Sequence, residues 1–285
     1  MGSIARLNRP HRPPRLRFFS LILCSSLSVF ASQLTSCSFP TDADPLPASK
    51  DPALTFLGLS LSNPIESLQP VNPVITLSFS DILDPDTGAL VAIRLGGRGS
   101  PIETLVEHNQ VERKLTLRPK ASLQPESEYQ IDIGTSLKSL AGVSLDRTTR
   151  VTFRTGKDVL PNPAPETPLT LSDIIGAKGQ LKTFCATSGC HAVQAAGEVA
   201  ARNLDLSMAT PALRSFLVGT SASGSPESLR LVQPGQPEKS YLLRKILATG
   251  SFTRIIGDPM PAEDSPPLGL DATLAVQRWI RQGAN

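Results

Sequence analysis

Pro73-Val-Ile-Thr-Leu-Ser-Phe-Ser80 alternates apolar and hydroxylated side chains, with Ile75, Leu77 and Phe79 set two residues apart. Successive side chains of an extended chain point to opposite faces, so this stretch reads as a strand that buries one face and wets the other. Neighbouring segments repeat the pattern. Residues 90–95, 102–107, 112–118, 127–134 and 149–155 alternate in the same way or are rich in β-branched side chains. They are punctuated by Asp84-Pro-Asp-Thr-Gly88, Gly96-Gly97 and Gln124-Pro125. Short strands at regular spacing across residues 52–156 predict an all-β sandwich.

Little in this sandwich suggests chemistry. It has no cysteine, and its one histidine, His108, is expected exposed in the polar turn Glu107-His-Asn-Gln110. Asp81, Asp84 and Asp86 read as solvated turn residues rather than calcium ligands, because the helix-flanked EF-hand pattern is absent. The segment resembles the bacterial Ig-like domain of surface and secreted proteins. The likeness rests on Pro73–Ser80 followed by Asp84-Pro85, then Tyr129-Gln-Ile-Asp-Ile133, Leu140-Ala-Gly-Val143 and Val151-Thr-Phe-Arg-Thr155. It implies a spacer or adhesive module.

Pro161, Pro163, Pro165 and Pro168 make residues 157–169 a semi-rigid linker, expected to hold the sandwich apart from the C-terminal part of the chain. Thr170-Leu-Ser-Asp173 then opens a helix with a capping pattern, and Leu171, Ile174, Leu181 and Phe184 share one face. Gly176 and Gly179 weaken that helix while permitting a close crossing. It leads into Cys185-Ala-Thr-Ser-Gly-Cys190-His191, where two thiols stand beside the only histidine of the C-terminal half. A histidine directly after the second cysteine is the arrangement of a covalent haem attachment site, in which the thiols form thioethers and the imidazole ligates iron. The alternative is a short disulfide loop closed by Cys185 and Cys190. Four residues separate the thiols instead of the usual two, so a haem site needs a bulge, which Gly189 can absorb. A second axial ligand has two candidates after the initiator, Met208 and Met260. Met260 lies in Asp258-Pro-Met-Pro261, where prolines fix the backbone and can aim a thioether inward. Met208 follows alternating leucines and reads as core packing.

Residues 171–285 resemble the c-type cytochrome domains at the C-terminal end of many exported multidomain bacterial proteins. The matching pieces run in order: Phe184-Cys-Ala-Thr-Ser-Gly-Cys-His191, Asn203-Leu-Asp-Leu-Ser207, Val232-Gln-Pro-Gly-Gln-Pro-Glu-Lys-Ser-Tyr-Leu-Leu-Arg-Lys245, Pro259-Met-Pro261 and Trp279-Ile-Arg-Gln-Gly-Ala284. The resemblance implies one covalent haem c on Cys185 and Cys190, His191 as proximal ligand, Met260 as distal ligand and Trp279 as a structural neighbour. The wider cysteine spacing and the Gly/Ser segment 219–228 depart from the family pattern. A last helix is predicted over 271–281 with Ala272, Val276, Trp279 and Ile280 as its apolar stripe, packed on the first helix. Another is predicted over 240–247, with Tyr241, Leu242 and Ile246 inward and Arg244 and Lys245 exposed.

The first 17 residues carry five arginines and no acid, followed by a 14-residue apolar stretch, the layout of an export signal and too short to span a membrane. Leu34-Thr-Ser-Cys37 resembles the lipobox of bacterial lipoproteins, which implies lipidation of Cys37; simple secretory cleavage is the alternative. Cys24 follows the bulky Leu23 and reads as part of the signal. Ser38 after the cysteine favours the outer membrane, facing periplasm or cell surface, by analogy with that family. The expected order is thus signal at 1–36, tether at 37–51, β-sandwich at 52–156, linker at 157–169 and a mainly α haem domain at 170–285. Beyond residue 36 the chain holds 23 basic and 25 acidic side chains, a net −2, which removes any warrant for a nucleic-acid partner. With only three histidines, no Ser-His-acid or zinc-type His constellation is recognised in the sequence, so a hydrolase is a distant third reading. The expected function is that of a membrane-tethered electron carrier, not an enzyme, that serves a redox partner protein. The alternative is a surface-binding lipoprotein in which the Ig-like part adheres and no haem is bound.

Overall fold

The computed structural model describes residues 53–88, 90–175, 181, 185–186, 190–193, 199–223, 225, 227–248, 255–256, 258–261 and 268–285. The signal with Cys24, the tether with Cys37, and Gly176, Gly179, Phe184 and Gly189 lie outside the described residues.

The alternating stretch is β2 (Ile75–Phe79), with Ile75, Leu77 and Phe79 buried and the residues between them half-buried. Around it stand β1 (Phe56–Ser60), β3 (Ala92–Leu95), β4 (Thr104–Asn109), β5 (Lys114–Pro119), β6 (Glu128–Ile133) and β7 (Thr149–Arg154). A single helical turn, α1 (Pro85–Gly88), occupies the Asp84–Gly88 punctuation. The strands form two antiparallel sheets in the orders β1-β2-β5-β4 and β3-β6-β7. Leu77 faces Leu115 and Ile131 faces Val151 in register, so the apolar sets of neighbouring strands point the same way. Ile75, Leu77, Leu115, Leu117, Ile93 and Ile131 meet between the sheets with no exposure. Tyr129 stacks on Phe153 at 5.6 Å between ring centroids, and its hydroxyl accepts the Gln124 N–H at 2.8 Å, the tyrosine corner of sandwich folds.

Two expectations for this part are corrected. β1 is a strand that the alternation does not reveal, because a bulge between Phe56 and Gly58 breaks the period and leaves Leu57 exposed. His108 is not in an exposed turn: β4 runs on to Asn109, and His108 pairs with Leu115 half-buried beside Gly88.

Among its described residues the C-terminal part has four helices, α2 (Leu171–Ile175), α3 (Thr210–Gly219), α4 (Tyr241–Leu247) and α5 (Leu270–Arg281), with 3-10 turns at Ala201–Asn203 and Pro237–Lys239. Thr170 opens α2 as its pattern predicts, both its N–H and its hydroxyl donating to the Asp173 carboxylate at 2.8 and 2.7 Å. Val276, Trp279 and Ile280 of α5 are fully buried against Leu171 and Ile174 of α2 and Leu213, Leu217 and Leu243, so the first and last helices pack together. Trp279 is core, its indole N–H donating to the Asn285 carbonyl at 2.9 Å. No helix among the described residues is long and apolar enough to cross a membrane.

The linker is fastened at both ends instead of standing free. Asn72 exchanges hydrogen bonds with Leu160 (2.9 and 2.7 Å), and the Leu169 N–H donates to Gln282 Oε1 at 2.7 Å. The β4–β5 hairpin tip also rests on α5. Gln277 accepts the Val111 N–H at 3.2 Å and donates to Asn109 Oδ1 at 3.0 Å, and Arg281 pairs with Glu107 at 2.5 Å. The spacer expectation for 157–169 is therefore corrected: sandwich and helices touch directly.

Candidate functional site

The site is built from three stretches that α2, α3 and α4 bring around one space. The first is the Cys185–His191 loop. Cys185 N–H donates to Leu181 O at 2.8 Å, and the His191 N–H reaches back to Cys185 O at 3.0 Å, which closes the wide Cys-x4-Cys spacing into one loop. Both cysteines are half-buried thiols. Burial and the neighbouring Cys190 push the Cys185 thiol up to about 11, so it stays protonated at neutral pH.

The second stretch is Leu204–Ser207. Leu206 N–H donates to His191 O at 2.7 Å, and His191 Nδ1 lies 3.1 Å from Leu204 O. A carbonyl oxygen only accepts, so the Nδ1 of this pair carries the proton and Nε2 keeps the lone pair. His191 is 8% exposed. Burial lowers its pKa below the ordinary 6.5, the Leu204 and Ala201 carbonyls push it back up, and the Lys245 ammonium adds to the lowering. The ring is accordingly held neutral, the form in which imidazole ligates a metal.

The third stretch carries Met260. Its N–H donates to the Lys245 carbonyl at 2.9 Å, and the Ile256 N–H donates to the Tyr241 hydroxyl at 3.0 Å. Cys185, His191 and Met260 all line one cavity of about 150 Å³, walled mainly by Leu181, Leu204, Leu206, Leu242 and Ile246. Cys190 is not among the lining residues, although its carbonyl accepts the Ala201 N–H at 2.7 Å and ties the loop to the Ala201–Asn203 turn.

Three side chains depart from their sequence-based expectation. Met208 is 38% exposed and does not line this cavity, so it is not core. Arg244 is 2% exposed, not solvated: its guanidinium pairs with Glu227 at 2.8 Å and reaches the Glu238 carbonyl. Lys245 is half-buried on the cavity wall, its ammonium donating to the Ile256 and Asp258 carbonyls. The helix α3, whose Phe216 closes the cavity, is a further element that sequence reasoning missed. Its signals are Pro211 at the start, Leu213 and Leu217 one turn apart, and Gly219 at the end.

Every side chain lining this cavity lies beyond the sandwich, from Ile175 onward. The sandwich has an assignment of its own. Residues 58–155 match the family model of the bacterial Ig-like domain. The Ig-like domain is thus the part of the chain whose family is established, and its two antiparallel sheets agree with that. Solved structures similar to the chain include the N-terminal part of the bacterial S-layer protein SbsC, at 17% identity over 40% of this chain and 25% of that one, TM-score 0.29. Another is native alpha-2-macroglobulin from Escherichia coli spanning domains MG0-NIE-MG1, at 23% identity over 38% of this chain and 33% of that one, TM-score 0.29. The chain therefore spans a quarter to a third of those structures. No curated protein matches it.

Proposed function

We propose that the chain is a membrane-anchored monohaem c-type cytochrome that passes single electrons in the cell envelope. In this reading Cys185 and Cys190 hold one haem c covalently, and His191 and Met260 are the axial ligands of its iron. The observation that carries it is the convergence of a buried neutral imidazole, a thioether and a thiol on one apolar cavity.

Cys185, His191 and Met260 line the cavity and fit the group, whereas Cys190 belongs to the same loop but does not line it. Among the described residues no three His, Cys, Asp or Glu side chains cluster as a metal site, and haem needs none, since the porphyrin supplies four nitrogens and leaves two positions to the protein. The Leu204 carbonyl holds Nδ1–H, which orients the ring and offers Nε2 outward. Apolar walls limit access of water. Bound there, haem c supplies a one-electron iron couple whose potential a methionine ligand raises. The lipid on Cys37 would anchor the protein, in the outer membrane by preference, and the Ig-like domain would serve as spacer or adhesive module beside a redox partner protein. No enzymatic activity is assigned.

The test is expression in a cell competent for cytochrome maturation. A visible haem band that survives denaturation, with a mass gain of one haem, supports the reading. A colourless polypeptide whose mass is that of its amino acids and lipid, with Cys185 bonded to Cys190, overturns it and leaves a surface-binding lipoprotein. Replacement Met260→Ala is expected to abolish the methionine-to-iron charge-transfer band of the loaded protein while leaving the covalent haem in place.

A further inference from the structure

Among its described residues, the stretch that bears Met260 has a single buried apolar side chain, Ile255, which packs with Tyr241, Ala222 and Ala248. Met260 is half-buried, Asp258 is exposed and Ile256 is 43% exposed; of the three only Met260 and Ile256 reach the cavity. What holds this stretch is α4. Tyr241 and Lys245 stand four residues apart on one face of that helix, and both line the cavity. Between them they engage four backbone groups: the Ile256 N–H at the Tyr241 hydroxyl, the Ile256 and Asp258 carbonyls at the Lys245 ammonium, and the Met260 N–H at the Lys245 carbonyl. The helix is itself immobilised on other sides. Leu243 is buried in the helical core, and Arg244 is locked to Glu227. A helix thus adds a set of hydrogen bonds to a loop whose apolar anchor is Ile255, the relation by which outer residues set the position of a ligand.

We propose that Tyr241 and Lys245 are positioning residues for Met260, clamping its loop so that the thioether faces the same cavity as His191. The inference rests on the cytochrome reading for what Met260 ligates, but the clamp is a property of the chain. Losing the clamp shifts the loop from seated to displaced without removing the thioether.

The experiment uses the haem-loaded protein with Tyr241→Phe, which deletes one acceptor, and Lys245→Met, which keeps the stem and deletes the ammonium. Added imidazole competes with the Met260 sulfur, so its apparent affinity rises by the factor by which seating weakens. Expected is a rise of about fivefold for Tyr241→Phe and about tenfold or more for Lys245→Met, the worth of a neutral and a charge-assisted hydrogen bond. The methionine-to-iron band should fade at lower temperature than in the parent while the global melting of the fold is unchanged. Imidazole affinity and band stability both equal to the parent's would overturn the proposal. If the parent binds no haem, the functional reading fails separately, and the clamp is read in the colourless protein by amide exchange. There Tyr241→Phe should accelerate exchange at Ile256, and an unchanged rate sinks the clamp.

Discussion

Cys185 shows how a residue's surroundings set its chemistry. Desolvation is the main cause of its raised pKa, with Cys190 adding to it, and the result is a thiol near 11 in place of the ordinary 9.0. At pH 8 that leaves roughly two orders of magnitude less thiolate than an ordinary cysteine, partly offset because a more basic thiolate is the better nucleophile. Alkylation of Cys185 in the haem-free, reduced protein should therefore run roughly tenfold slower than that of an ordinary exposed thiol, followed site by site by mass spectrometry. Its rate should keep climbing past pH 9; a plateau there would mean that the thiol is not desolvated. The candidate ligands illustrate what single residues reveal in sequence. Cys185, Cys190 and His191 are named by their adjacency, and Met260 by the prolines around it. Met208 misleads because alternating leucines before it imply a buried neighbour, whereas only Leu206 of that run is buried. The carbonyl of Leu204 is invisible in sequence, since a main-chain acceptor has no signature there.

At the scale of elements, alternation or β-branched enrichment marked six of the seven strands, and the alternation is cleanest in β2, β5 and β6, which bury every second residue against the opposite sheet. β1 escaped through its bulge, and α3 because only Leu213 and Leu217 of its ten residues are buried, too few to mark an apolar face. On α4 the apolar positions were legible, but the burial of Arg244 depends on Glu227, which arrives from a distant Gly/Ser segment. β4 supplies a prediction of its own. Burial depresses the His108 pKa below 6.5, with Asp84 and Asp86 opposing the shift. The unfolded chain then binds a proton more readily than the folded one. The stability linked to His108 is complete above pH 6.5 and is lost as pH falls through the lowered folded value. Replacement His108→Gln should flatten the decline of stability below pH 6.5 by up to about 1.4 kcal/mol per pH unit, the ceiling for one proton. Denaturant melts of parent and variant at pH 7 and at successively lower pH measure it, and parallel curves would mean that His108 titrates alike in both states.

For the whole molecule, the decisive question is whether the Ig-like domain moves freely or is joined to the helices that form the cavity. Contacts between domains of one chain are commonly weak enough to permit relative motion, so a short proline-dotted linker does not settle it. The structure answers with side chains. Gln277, 1% exposed, bridges α5 to the hairpin through both of its amide atoms, Val111 packs against the helical core, and Arg281 reaches Glu107 from the last turn of the same helix. α5 also holds the linker, since Gln282 just beyond it takes the Leu169 N–H. One helix therefore fastens cavity, linker and sandwich. Groups in direct contact couple energetically, whereas distant ones add. A double-mutant cycle between Asn109→Ala and Gln277→Ala should accordingly return an interaction energy of about 0.5–1.5 kcal/mol in denaturant melts. Each single change weakens its own neighbourhood, the hairpin turn for Asn109 and the helical core for Gln277, and the cycle subtracts those local costs. Additivity within about 0.3 kcal/mol would mean that hairpin and helix do not meet in solution, and that the sandwich swings on its linker independently of the cavity.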